Sequence, residues 1–214
     1  MNPPAASPPP RTWDGRLARW LVTPLKDTWV TPNQLTTLRL AIGAAGAAGL
    51  AQGGYAWGNA GMVLIALSNF VDHTDGELAR ISGRTSRFGH FYDLACDALV
   101  TVLLFACLGI GLERDTTMTV SPVALGLVAG LSVALIFFLR MRVEELAGKA
   151  ANAQSFLAGF ETEDVLYLLP LVSLFSVAMP LLVAAAIGAP LFALWVLFDY
   201  RRLVRRPVTG LAER

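Results

Sequence analysis

The chain alternates between long apolar stretches and short polar breaks, a pattern typical of a helical membrane protein. A bilayer core requires about 20 apolar residues per helix, and this spacing predicts six membrane-crossing helices. Four of them are expected at about residues 34–51, 57–70, 88–112 and 120–139. Two more are expected between residues 165 and 203, divided near Met179 and Pro180.

The N-terminal pattern is different, because aromatic and basic positions alternate there. Trp13 and Trp20 fall opposite bases such as Arg19, which predicts an amphipathic helix on the membrane surface with its bases toward lipid phosphates. Thr31 and Pro32 form a helix-start signal. The chain thus divides into a disordered tail, an interfacial amphipathic helix, a six-helix domain and a C-terminal tail, at residues 1–11, 12–30, 31–206 and 207–214.

Composition supports an all-α polytopic membrane protein. Of the 214 residues, 55% are hydrophobic and 15% are charged, whereas soluble domains contain about 25% charged residues. Cys96 and Cys107 lie in one apolar segment and suggest neither a disulfide framework nor a metal site. In the six-helix arrangement every Lys and Arg except Arg114 falls on the side of both termini, which the positive-inside rule assigns to the cytoplasm.

Four aspartates interrupt this apolar chain and form its candidate site. On a helix that turns 100° per residue, one face within about a 100° arc contains Asp72, Asp75, Gly76 and Ala79. A stripe with a spacing of four residues on the next helix contains Gly89, Asp93 and Asp97. If the two helices are neighbours, the four carboxylates converge on one point.

Charges near hydrocarbon are costly unless they are paired or bound to a cation. Pairing with Arg80, Arg84 and Arg87 is one interpretation. A cation site explains the residue types better, because Asp is a short, hard ligand that suits Mg²⁺, Mn²⁺ or Ca²⁺. Glycine in a helix costs about 1 kcal/mol relative to alanine, so Gly76 and Gly89 indicate space for a ligand that carries phosphates.

The arrangement Asp72-x2-Asp75-Gly76-x2-Ala79-Arg80-x8-Gly89-x3-Asp93-x3-Asp97 resembles the signature of the CDP-alcohol phosphotransferase family at every fixed position. Upstream, Pro32-Asn33-x-Leu35-Thr36-x2-Arg39 is similar to the first-helix motif of that family. The resemblance implies a six-helix membrane enzyme, usually dimeric. It would transfer a substituted phosphoryl group from a CDP-alcohol to a hydroxyl acceptor and release CMP.

The resemblance also implies residue roles. Two divalent cations, Mg²⁺ or Mn²⁺, would be bound by Asp72, Asp75 and Asp93, while Asp97 would act as the base and as a further metal contact. The CDP moiety would be bound by Asn33, Gly76, Ala79, Arg80 and Gly89.

Other polar residues have two interpretations each. Arg84 and Arg87 could bind a substrate phosphate or anchor the cytoplasmic side. Arg140 ends the fourth predicted helix at the depth of the motif and is a possible contact for a substrate phosphate or headgroup. Glu161 either caps the fifth helix or recognises a headgroup. The histidines at 73 and 90 could ligate metal or relay a proton, but the interpretation as polar boundary residues is favoured.

The substrates remain open at the level of sequence. The compact size slightly favours CDP-diacylglycerol as donor, whereas the Cys before the last Asp resembles the choline and ethanolamine branch, which uses diacylglycerol as acceptor. A non-enzymatic cation-binding protein or a transporter is the competing class, although a transporter is expected to show repeats or broken helices. The expected location is a bacterial inner (cell) membrane, with membrane lipids and a second copy as partners and no nucleic acid.

Overall fold

The computed structural model of the chain describes residues 10, 12–114, 119–147 and 162–205. These residues form helices and connecting turns with no strand among them, which confirms the predicted all-α class. The α-helices are α1 (Trp13–Val22), α2 (Pro32–Gln52), α3 (Tyr55–Ser82), α4 (Arg87–Glu113), α5 (Pro122–Ala147), α6 (Leu169–Leu174) and α7 (Ala178–Arg205). Short 3-10 helices follow α1 at Thr23–Leu25 and precede α6 at Thr162–Leu168. Apart from Pro10, the two predicted tails lie outside the described residues.

Capping residues fix the start of α2 as the sequence predicts. Thr31 Oγ1 accepts a hydrogen bond from the backbone N–H of Gln34 at 3.4 Å. The Gln34 side chain accepts one in return from Thr31 N at 2.8 Å, which completes a capping box. Pro32 occupies the first helical position, where no hydrogen bond from its nitrogen is needed.

The acidic motif lies where α3 ends and α4 begins. Helix α3 continues without interruption to Ser82, and Gly83 ends it with a φ of 68°, a left-handed conformation that favours glycine. Ser86 then caps α4, because its Oγ accepts from the backbone N–H of Gly89 at 2.9 Å. The short turn brings both acidic helix ends to the same end of the bundle.

Three helices are long and apolar enough to cross a membrane, over Arg87–Glu113, Pro122–Leu146 and Ala178–Val204. Helices α2 and α3 are of similar length but are not among them, since α2 is rich in Gly and Ala and α3 carries the polar motif. The apolar helix at Val165–Leu174 is shorter than a bilayer core requires. The count of six spans therefore stays a prediction.

The predicted division between the last two apolar segments, near Met179 and Pro180, agrees with the structure to within a few residues. The chain breaks at residues 175–177, where Ser176 has a φ of 56°. Pro180 lies in the first turn of α7, where its missing N–H removes no helical hydrogen bond. A proline in this region thus marks the start of a helix and does not interrupt one.

Small residues bring α2 and α3 into close contact, as the Gly/Ala-rich sequence of α2 predicts. Helix α2 packs against both α3 and α4, while α5 packs against α4 and α7. A Cβ on Gly46 would lie 2.9 Å from the carbonyl oxygen of Gly61, and a Cβ on Gly61 would lie 2.7 Å from that of Gly46. Next to this contact along α3, Met62 and Ile65 join Leu104 of α4 in the buried hydrophobic core.

Helix α1 packs along α3 and buries one polar face there. Asp14 is completely buried, with its Oδ2 2.9 Å from Nε2 of His73 and 3.2 Å from the hydroxyl of Tyr167, which donates to it. Burial raises the pKa of Asp14, but the Thr12 hydroxyl and the charge of His73 outweigh this effect and leave the pKa below its usual value. Asp14 is therefore an ionised anchor between α1 and α3.

The opposite face of α1 exposes apolar side chains, including Trp20, which is 70% exposed. The prediction that the bases of α1 point toward lipid phosphates is wrong for Arg19, whose Nε donates to Oε2 of Glu77 at 2.7 Å. This difference arises because α1 docks on α3 and brings Arg19 within reach of a buried acid. The position of α1 in a membrane interface stays a prediction.

Gly61→Ala is expected to lower the free energy of unfolding by about 1–3 kcal/mol, because the added methyl group overlaps the backbone of α2. Gly188→Ala is the matched control, since a Cβ there has nothing within 4 Å and alanine favours a helix interior. Thermal unfolding of both variants in the same detergent measures the difference. Equal stability of the two variants would contradict the close packing of α2 on α3.

Candidate functional site

The four aspartates converge at the end of the bundle, as their spacing predicts. Asp72 and Asp75 come from α3, and Asp93 and Asp97 come from α4. One carboxylate oxygen from each of the first three lies within 4.8 Å of the others. Asp97 is outside this group, one helical turn further along α4.

A single guanidinium group, that of Arg39 on α2, joins all four acids. Its Nη1 donates to Asp97 Oδ1 at 2.6 Å and lies 2.9 Å from Asp72 Oδ1. Its Nη2 donates to Asp93 Oδ1 at 2.9 Å and to the Asp93 carbonyl oxygen at 2.7 Å. Its Nε lies 3.9 Å from Asp75 Oδ2, which also accepts from the hydroxyl of Thr36 at 2.7 Å.

The alternative interpretation that Arg80, Arg84 and Arg87 pair with the aspartates is therefore wrong for the described contacts. Arg80 is bound to Glu77 on the same helix, and Arg84 donates to backbone carbonyls. The aspartates instead pair with Arg39, which is far from them in sequence but faces them across the α2–α3 and α2–α4 contacts.

The donor set fits divalent cations. Three closely spaced carboxylates provide hard oxygen ligands of the kind that Mg²⁺ and Mn²⁺ prefer. Arg39 is only 3% exposed and supplies one positive charge for four acids, so ionised aspartates leave an excess of negative charge. Bound cations would neutralise that excess.

Beside this cluster is a cleft of about 630 Å³. Asp75 and Asp93 lie on its wall, which connects the cleft to the candidate metal ligands. All five residues expected to bind the CDP moiety line it, namely Asn33, Gly76, Ala79, Arg80 and Gly89. Arg84, Arg87 and His90 also line it, so the cleft wall carries basic as well as acidic side chains.

The two motif glycines differ in what surrounds them. A Cβ on Gly76 would contact only the end of the Arg80 side chain, whose Nη2 lies 3.6 Å away. Packing therefore does not require glycine at 76, and the open space belongs to the cleft. A Cβ on Gly89 would lie 3.0 Å from Ser86 Oγ and 3.1 Å from Asn33 Oδ1, so glycine also relieves crowding at that position.

Arg84 and Arg140, two further residues predicted as possible substrate contacts, bind other groups of the protein. Arg84 lines the cleft, but its guanidinium donates to the carbonyl oxygens of Thr28 at 3.1 Å and Val30 at 3.0 Å, which anchors the segment before α2. Arg140 is not on the cleft wall, and its guanidinium carbon lies 5.6 Å from the ring centre of Phe192.

Glu161 lies outside the described residues. The two histidines lie in different places, since His73 contacts Asp14 of α1 and His90 lies on the cleft wall. His73 is therefore directed away from the carboxylate cluster that its neighbour Asp72 joins.

A second cavity, of about 50 Å³, is lined by Arg39. Asp72 and Asp97 line it together with Asn69, whose Nδ2 is buried and has no hydrogen-bond partner among the described residues. The remaining wall is largely apolar and includes Ile65, Val100, Leu104, Phe137 and Leu166. The four acids are thus divided between two cavities.

Sequence reasoning did not assign site roles to Arg39, Thr36 or Glu77. The signal for Arg39 was available, because it is the one charge within the apolar stretch 34–51, and an ionisable residue in such a stretch is functional by default. Thr36 and Glu77 carried no comparable signal, since their partners become clear only when helices are packed.

The fold and the site define an all-α protein with membrane-type helices and a carboxylate cluster beside a polar cleft. A model of the CDP-alcohol phosphatidyltransferase family matches residues 29–200. The chain therefore belongs to the CDP-alcohol phosphatidyltransferase family, which confirms the resemblance. A protein named bifunctional IPC transferase and DIPP synthase, from Rubrobacter xylanophilus, is 33% identical over 125 residues, which are 58% of this chain. The match covers 27% of that relative, about a quarter of its length.

Arg39→Gln is expected to destabilise the protein by about 3–5 kcal/mol in the presence of a chelator, because it leaves buried acids without a counter-charge. Mg²⁺ or Mn²⁺ should restore more stability to this variant than to the wild type. The matched control is Arg142→Gln, which removes an exposed ion pair with Glu145 and should change stability little. Thermal unfolding with and without cation measures both effects, and an Arg39 variant as stable as the control would contradict the central role of Arg39.

Proposed function

We propose that the protein transfers a substituted phosphoryl group from a CDP-alcohol to a hydroxyl acceptor and releases CMP. The observation that carries this proposal is a cluster of three carboxylates, two of which, Asp75 and Asp93, lie on the wall of a cleft that also carries basic side chains. A CDP-alcohol requires such a combination, because its diphosphate needs positive charge and its cytidine needs a cleft. The name of the Rubrobacter relative, a transferase and synthase, supports the same class of reaction.

The cleft binds the CDP moiety. Gly76 and Ala79 present little side-chain volume, so the nucleotide can approach the helix backbone, and Arg80 supplies a positive charge beside Gly76. Two divalent cations, Mg²⁺ or Mn²⁺, held by the carboxylates of Asp72, Asp75 and Asp93, would neutralise charge on the phosphate oxygens and on the departing CMP.

Asp97 acts as the general base. The acceptor hydroxyl gives its proton to the Asp97 carboxylate while its oxygen forms a bond to the β-phosphorus. The bond between the β-phosphorus and the oxygen bridging to CMP breaks, and CMP leaves with the electron pair. Arg39 Nη1 orients the carboxylate through its contact of 2.6 Å with Asp97 Oδ1.

The two cavities support opposite approaches of donor and acceptor. Asp75 and Asp93 face the cleft assigned to CDP, whereas Asp97 lines the smaller cavity. An in-line displacement requires the acceptor opposite the leaving group, and we assign the acceptor to the smaller cavity because Asp97 lines it.

CDP-diacylglycerol is the favoured donor, on the compact size of the 214-residue chain. CDP-choline or CDP-ethanolamine with diacylglycerol as acceptor is the alternative. We further propose six spans, an interfacial α1, a homodimer, and a cytoplasmic site in a bacterial inner membrane. The distribution of basic residues supports this orientation.

Asp97→Asn is expected to reduce CMP release by about 10²–10⁴-fold, because it removes the base and leaves the other three carboxylates in place. The measurement is CMP release by purified protein with pairs of CDP-alcohols and acceptors, with and without Mg²⁺ or Mn²⁺. Cation binding, followed by thermal stabilisation, should be retained. Full activity in this variant would disprove the assignment of the base.

The same assay separates the classes of protein. CMP release that requires both a CDP-alcohol and an acceptor supports the transferase, and the active pair identifies the donor. Cation binding without CMP release from any pair would instead favour a non-enzymatic cation-binding protein or a transporter.

Gly76→Ala is expected to raise the KM for the CDP-alcohol by about tenfold without lowering thermal stability, since the methyl group enters the cleft and contacts only the end of the Arg80 side chain. Gly188→Ala is again the matched control, because its position is open and distant from the cleft wall. Unchanged KM in Gly76→Ala would exclude the nucleotide from this part of the cleft.

A further inference from the structure

Glu77 is a buried acid beside the cleft that the proposed mechanism does not use. It is 2% exposed and lies on α3 immediately after Gly76, yet it does not face the aspartate cluster. A carboxylate is costly to bury unless charged partners satisfy both of its oxygens. Its partners therefore indicate its role.

Each oxygen of Glu77 has its own arginine. Oε1 accepts from Arg80 Nε at 3.0 Å and from Arg80 Nη2 at 2.6 Å, which is a two-pronged contact. Oε2 accepts from Nε of Arg19 on α1 at 2.7 Å. The buried acid thus connects the N-terminal helix to an arginine on the cleft wall.

Arg80 needs such support because more than half of its side chain is exposed. An exposed arginine samples many rotamers, and binding a ligand would then require it to lose that freedom. The contact with Glu77 holds the guanidinium near Gly76, with Nη2 3.6 Å from the position of an added Cβ. The group is therefore already ordered at the cleft before a ligand arrives.

Arg19 holds the second carboxylate oxygen of Glu77, the one that Arg80 does not contact. It is 20% exposed, and it belongs to a helix that is anchored a second time through the contacts of buried Asp14 with His73 and Tyr167. Two arginines and one glutamate also leave a net positive charge beside the cleft. That charge suits a diphosphate.

We propose that Glu77 is a positioning residue for nucleotide binding, held by Arg19 of α1 and holding Arg80 at the cleft wall to contact a phosphate of the CDP moiety. This inference rests on the proposed function, since it takes CDP as the occupant of the cleft. It assigns α1 a role in substrate binding in addition to any role at the membrane surface.

The test is the affinity of the full-length protein in detergent for CMP in the presence of Mg²⁺, measured by calorimetry for wild type and Glu77→Gln. The isosteric change removes the charge and directs an amide N–H toward one of the two arginines. CMP affinity is expected to fall by about tenfold. In turnover, KM for the CDP-alcohol should rise by a similar factor while kcat changes little, because the aspartates are untouched.

Two substitutions on α1 provide a matched pair. Arg19→Gln should weaken CMP binding, and Arg19→Lys should restore most of the loss, because a lysine can still donate to Glu77 Oε2. Arg16→Gln removes the same charge from the same helix, but Arg16 Nε bonds only the carbonyl oxygen of Thr12 within α1 in the contacts described. It should therefore leave CMP affinity unchanged.

A double-mutant cycle distinguishes positioning from general destabilisation. If Glu77 acts through Arg80, then Glu77→Gln should cause no further loss of CMP affinity in an Arg80→Gln background. Additive losses, or a Glu77 variant with unchanged CMP affinity, would overturn the inference while leaving the proposed function intact. Failure of the wild-type protein to bind CMP would instead overturn both.

Discussion

The structure depends on one electrostatic constraint, the placement of four carboxylates around the buried guanidinium of Arg39. This group comes from α2, whereas the acids come from α3 and α4, so a single side chain fixes the relative positions of three helices. One cation cannot balance four anions, and the remaining negative charge must be accommodated at the end of an otherwise apolar bundle. The same imbalance that would destabilise a purely structural cluster makes this one suitable for binding cations.

That constraint also explains the small residues where α2 packs against α3. Arg39 can reach acids on two neighbouring helices only if their backbones approach closely, and the Gly46–Gly61 contact allows α2 and α3 to do so. Ser68, about two turns closer to the site on α3, adds a polar link, since its hydroxyl donates to the carbonyl oxygen of Arg39 at 2.8 Å. The close packing of α2 on α3 is therefore a condition for the geometry of the site.

The features that could be predicted from sequence are those determined within a single helix. The helix-start signal at Thr31 and the spacing of the aspartates operate within one or two turns, where the helical repeat determines position, and both predictions agree with the structure. The partner of the aspartates and the contact of Arg19 with Glu77 were mispredicted or missed. Each depends on which helices pack together, and the spacing of residues along one helix contains no information about that choice.

The acids are arranged in two directions around Arg39. Asp75 and Asp93 face a broad, polar cleft, while Asp72 and Asp97 line a small cavity with a mostly apolar wall. A phosphoryl transfer between a nucleotide-linked donor and a hydroxyl acceptor needs room for both substrates beside one charged centre. A simple cation-binding site needs only the ligands, and neither the cleared helix surface at Gly76 nor the ordered guanidinium of Arg80 would serve it. The surroundings of the aspartates therefore favour an enzyme more strongly than the aspartates alone do.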